Sequence, residues 1–177
     1  KTVHNILENI SHIIPADFIE LNIWDDDGTN LIPYQFEKNS RENTGVLVRE
    51  KQKIGDDYTG LIIKENQPCW LEDLENNPKN FVSSNVDKQN FHSFMGFPLV
   101  MGHEVLGTLE FFKAEKSGFS KIQFDAIENI SHHIAASINN AILFREENQK
   151  AVELSSLAQL AQSVSYSKEP EKIFEKM

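Results

Sequence analysis

The sequence predicts an α+β fold: an antiparallel sheet of about six strands, helices on both faces and a long C-terminal helix. Three observations carry this. Residues 94–101 and 105–112 are apolar runs split by Gly102-His103-Glu104, the pattern of two strands paired through a tight turn. Phe124, Ile127, Ile130, Ile134, Ile138 and Ala141 recur at helical spacing after Ser117-Gly118-Phe119-Ser120, with Ser120 placed to cap the helix. Upstream, Ile19, Leu21 and Ile23 alternate with Glu20, Asn22 and Trp24, the signature of a half-buried strand.

In chain order, Val3, Ile6, Leu7, Ile10, Ile13 and Ile14 form an amphipathic opening helix that Pro15 ends. The first strand follows, Asp26-Asp27-Gly28 supplies a turn, and alternation over 31–37 completes a hairpin. Residues 39–44 read as polar loop, 46–49 as a third short strand, and 58–64 as a short helix. Residues 73–91 are polar and hold the isolated aromatics Phe81 and Phe91, which suggests short helical turns crossing one sheet face as a lid. Gly107 interrupts the last strand, where a glycine marks a bulge or a close backbone approach. Beyond Phe144 the helix continues through Arg145-Glu146-Glu147-Asn148-Gln149-Lys150. It then picks up Leu154, Leu157, Ala161 and Val164, a narrow seam suited to a partner helix.

The 177 residues suit one domain with a helical extension. A net charge of −10 argues against nucleic acid, whose phosphates demand clustered cations, and against anionic membranes. One cysteine rules out an internal disulfide and suits a reducing compartment. No apolar run approaches the ~20 residues of a membrane helix. The expected location is the cytoplasm. The missing initiator Met suggests a piece of a longer protein.

Several segments together resemble a GAF domain. They are Gly55-Asp56-Asp57-Tyr58-Thr59-Gly60 before a helix, Pro68-Cys69-Trp70-Leu71-Glu72-Asp73 followed by Asn77-Pro78, Phe97-Pro98-Leu99-Val100, Val105-Leu106-Gly107-Thr108-Leu109 and Ser137-Ile138-Asn139-Asn140-Ala141. The resemblance implies a GAF/PAS-like sheet over residues 1–148, a signalling helix over 149–166, and at 167–177 the start of a further domain similar to the first helix of another GAF domain. It also implies a homodimer formed through the N- and C-terminal helices, and an effector domain in the same chain: a histidine kinase, a nucleotide cyclase or a phosphodiesterase.

The resemblance places a small-ligand site between sheet and lid, with Tyr58, Trp70, Phe91, His92 and Phe94 as its candidates. Its chemistry stays open. Bilin-binding relatives carry a Cys-His pair in the lid, which this chain lacks, so a covalent bilin is not expected; Cys69, between Pro68 and Trp70, reads as a small core residue. Cyclic-nucleotide relatives carry Asn-Lys and then Phe-x-x-x-Asp-Glu. The corresponding residues here are Lys113-Ala114, Phe119 and Gln123-Phe124, so that ligand is not expected either.

Adjacent His132 and His133 point about 100° apart on a helix and cannot share a metal. Asp25-Asp26-Asp27 reads as a turn rather than a metal site. No nucleophile–base pattern and no phosphate loop occurs, so no catalytic residue is expected. The favoured function is a regulatory sensory domain. The alternatives are a ligand-free dimerisation spacer with a pocket closed by its own aromatics and, third, a methionine-sulfoxide-reducing enzyme, for which Cys69 alone on a strand is poorly suited.

Overall fold

A computed structural model describes residues 2–37, 46–76 and 91–166. The expected loop at 39–44, Asn77-Pro78, Phe81, the lid over 77–90 and the C-terminal residues 167–177 lie outside them. Two compact units are distinguished, Lys1–Asn139 and Asn140–Met177.

Helix α1 (Thr2–Ile13) opens the first unit. Strands β1 (Phe18–Trp24), β2 (Leu31–Glu37), β3 (Leu47–Val48), β4 (Cys69–Leu71), β5 (Ser93–Met101) and β6 (Glu104–Lys113) follow, with helix α2 (Tyr58–Glu65) between β3 and β4. Among the described residues these six strands form one sheet in the order β3-β2-β1-β6-β5-β4, every described pairing antiparallel. Helix α3 begins at Lys121 and runs to Tyr166, crossing from the first unit into the second.

The ends of these elements have local causes. Asp25 accepts from Thr29 N at 3.0 Å, Asn30 N at 3.1 Å and Asn30 Nδ2 at 3.1 Å, closing the β1–β2 turn. Those bonds, Asn30's first, hold its carboxyl below the usual carboxylate range. Gly28 and Gly102 sit at φ 63° and 64° in the two hairpin turns, a conformation other residues adopt at a cost. Asp57 caps α2 through a 2.9 Å bond from Gly60 N. Ser120 caps α3 as its sequence position predicts: Gln123 N donates to Ser120 Oγ at 3.3 Å and Ser120 N donates back to Gln123 Oε1 at 2.8 Å, a reciprocal capping box.

The sheet has two differently filled faces. Leu109 and Phe111 of β6 meet Ile10, Ile13 and Ile14 of α1 and Ile127, Ile130 and Ile134 of α3, an apolar layer. On the other face Phe18, Phe94 and Phe112 pack with Tyr58 and Ile62 of α2. The expectation of a half-buried β1 needs correction. Glu20 and Asn22 are as inaccessible as Ile19 and Leu21, because later parts of the chain cross the face that alternation assigns to solvent: Gln52 Nε2 reaches Asn22 Oδ1 at 3.5 Å, and Thr59 of α2 lies beside Glu110, the cross-strand partner of Glu20.

At Gly107, β6 runs close against β1. A Cβ there would overlap the Asn22 carbonyl. The irregular register lies opposite, between Leu99 and Val100 of β5.

Candidate functional site

The α2 face carries the chemistry, and its aromatic half comes first. Tyr58 opens α2 and stacks on Phe94, ring centroids 5.1 Å apart. Phe94 in turn lies 5.0 Å from Phe112. Phe91, just before β5, packs on both Phe18 at 5.6 Å and Phe112 at 5.7 Å, rings that also touch each other at 5.6 Å. Gly96 makes room for this layer, since a side chain there would strike Ile62 and Phe94. Burial pushes the Tyr58 phenol up to about 12. Cys69 pairs with Gly96 on β5 and is partly buried against the same aromatic layer.

Three of the five predicted site residues, Tyr58, Phe91 and Phe94, therefore share one cluster. His92 stands beside it, within a charged group at the edge. Its backbone N donates to Lys113 O at 2.8 Å and its carbonyl accepts from Leu74 N at 2.8 Å. Its Nδ1 lies 3.4 Å from Glu75 Oε1 without completing a hydrogen bond. Lys116 bridges Asp73 at 3.0 Å and Glu75 at 2.8 Å, and its bonds hold both carboxyls below their ordinary range. Trp70 is placed apart. It pairs with Met95 rather than Phe94 and stacks on Phe124 of α3 at 5.5 Å, on the opposite sheet face.

The polar half of the α2 face is what sequence reasoning missed. Glu20 of β1 and Glu110 of β6 are direct cross-strand partners, and both are fully buried. Asn22 Nδ2 donates to Glu20 Oε1 at 3.2 Å, Thr108 Oγ1 at 3.2 Å and Glu110 Oε1 at 3.4 Å. Thr108 Oγ1 donates to Glu110 Oε1 at 2.7 Å, and Gln35 Nε2 to Glu20 Oε2 at 2.5 Å. Gln35 Oε1 accepts from Arg49 Nε at 2.7 Å.

Neutral amides thus surround two acids. Among the described residues, Glu110 Oε2 and Thr59 Oγ1 of α2 have no hydrogen-bond partner, although Thr59 is close enough to favour the ionised Glu110. Burial, and next the Glu20 charge, push Glu110 up to about 8. Burial likewise raises Glu20, against the bonds from Gln35 and Asn22. The signal in the sequence was a polar residue at every second position of two strands, Glu20 and Asn22, Thr108 and Glu110, which alternation alone reads as a solvated face.

Comparison with known proteins fits this architecture. The profile of the GAF domain family matches residues 1–139. The chain belongs to the GAF domain family. Among solved structures, the GAF domain of a phosphoenolpyruvate-protein phosphotransferase from Coxiella burnetii is 22% identical, covers 80% of this chain and 82% of its own, and has a TM-score of 0.65. The GAF domain of a two-component sensor histidine kinase from Bacillus halodurans is 16% identical over 81% of this chain and 95% of its own, TM-score 0.64. A type II free methionine-R-sulfoxide reductase from Thermoplasma acidophilum is 15% identical over 78% of this chain and 90% of its own, TM-score 0.61. At these identities the likeness is one of fold. Comparison with curated proteins gave no match.

Among the described residues no cluster of His, Cys, Asp and Glu could hold a metal ion. No described helix is long and apolar enough to cross a membrane.

Proposed function

We propose that this GAF domain is a regulatory sensory module that takes a small ligand on its α2 face and relays its occupancy through α3 to an effector domain. The observation that carries this reading is the buried polar group beneath α2. A face that served only packing would be filled with apolar side chains, as the α1–α3 face is, whereas buried, incompletely satisfied acids persist mainly where they do work. The occurrence of this fold in a sensor histidine kinase supports a signalling role. Dimerisation through the terminal helices belongs to the same proposal, supported by the exposed Leu154, Leu157 and Leu160 of α3.

One observation favours the spacer reading: Tyr58, Phe91 and Phe94 already pack against Phe18 and Phe112. A ligand must therefore displace part of this layer. Sulfoxide reduction is less well supported. It leaves a sulfenic acid on the attacking cysteine that a second thiol must resolve, and Cys69 is the only cysteine in the chain.

Thermal-shift screening of the 177-residue chain against nucleotides, amino acids and organic acids tests the proposal. A compound that stabilises the wild type should bind Phe91→Ala or His92→Ala about tenfold more weakly, about 1.4 kcal/mol. Equal affinity in all three proteins would remove Phe91 and His92 from the site, and no stabilising compound would favour the spacer.

A further inference from the structure

Two carboxyl groups lie side by side beneath α2 with no cation bonded to either among the described residues, and the ligand reading gives their protons no role. We propose that Glu20 and Glu110 form a one-proton site whose deprotonation loosens α2, so that proton concentration is itself an input to the domain. This rests on the reading of the α2 face as sensory and names what that face detects.

The geometry supports a single bound proton. Glu20 and Glu110 are paired in register across β1 and β6 and excluded from water. Two charges so placed repel strongly in a medium of low polarity. Asn22, Thr108 and Gln35 donate to three of the four carboxyl oxygens. The fourth, Glu110 Oε2, is the one without a partner among the described residues. Thr59 Oγ1, carried on α2 and itself 2% exposed, is a second buried atom without one. Thr59 lies beside Glu110, so the acid pair sits where α2 meets the sheet.

The surroundings offer little other compensation. Asp57, at the N-cap of α2, adds a charge of the same sign. Arg49 acts on Glu20 from beyond Gln35, whose Oε1 it binds. Asn22, Thr108 and Gln35 on β1, β6 and β2 are neutral, and β5 presents Phe94, Gly96 and Pro98. The second ionisation therefore concentrates negative charge under the first turn of α2. A helix of 8 residues holds its place by packing rather than by its own stability, so its release is the least costly way to readmit water.

The sign follows from the raised pKa values. The folded protein keeps a proton that the unfolded chain gives up near the ordinary value of 4.5. This contribution to stability is fully present below that pH and is lost as pH rises through the folded value. Each unit in that interval lowers the closed-to-open ratio by up to tenfold.

The test is a titration of the 177-residue chain from pH 5 to 9, following the side-chain carboxyl carbon resonances by NMR and amide exchange in α2. We expect one of the Glu20 and Glu110 resonances to titrate well above the normal carboxylate range. The opening constant of Ile62, corrected for intrinsic exchange, should rise up to tenfold per pH unit over the same interval, and Glu110→Gln should flatten that rise. If Glu110→Gln does not fold, Glu20→Gln serves, and the wild-type titration decides by itself. Both resonances already at the ionised carboxylate position at pH 5 and unchanged to pH 9, or α2 opening that ignores pH, would overturn the proposal. A stabilising metabolite found independently would still leave the sensory reading intact.

Discussion

A methyl group at Gly107 would run into the carbonyl of Asn22, and that carbonyl belongs to a central strand with no room to retreat. Gly107→Ala should therefore cost about 3 kcal/mol or more, read as a lower urea midpoint at unchanged slope. A loss under about 0.5 kcal/mol would mean that β1 and β6 are not this close. The sequence singles out Gly107 correctly, since a glycine inside an apolar strand weakens it unless a neighbouring backbone needs the space. Glu20 and Asn22 were legible only as residue types. Their burial depends on distant parts of the chain, Gln52 at 30 positions from Asn22 among them, and local alternation carries no information about what covers a face. Trp70 is a similar case. Its place on the opposite face follows from the register of β4 against β5, which a three-residue strand does not announce.

At the scale of elements, α2 matters most, because it lies over the acid pair and is only 8 residues long. Asp57 caps it through Gly60 N, while Ile62 sits in the space left by Gly96. Asp57→Ala should cost about 1 kcal/mol through the lost cap and speed amide exchange at Gly60 and Leu61, leaving β5 and β6 protected. Equal acceleration in the sheet would show that α2 does not open separately. The start of α3 was legible because a cap is short-range chemistry: Ser120 and Gln123 lie three residues apart. That Tyr58 and Phe94 share one aromatic cluster was readable for a related reason, since both sit beside recognisable motifs. The polar part arises from pairing between strands almost ninety residues apart in sequence.

For the molecule as a whole, the α+β architecture and its sheet of six strands were readable because hairpin turns, alternation and a long helical stripe all agree. The exposed apolar residues of α3 continue past the first compact unit, with Leu154 67% and Leu157 56% accessible. Two chains pairing along that seam would cover them. Leu157→Glu should shift a dimer toward monomer in analytical ultracentrifugation, while the fold of the first unit stays intact by circular dichroism. An unchanged sedimentation coefficient would take the seam out of any interface.

The central claim, that this GAF domain senses a small molecule and passes the signal along α3, is tested most directly by a native mass spectrum of the chain, recorded as purified and after incubation with the metabolite panel. The account expects a dimer carrying a reproducible adduct of defined mass, lost on collisional activation before the dimer separates. A monomer that stays bare in both samples would contradict it.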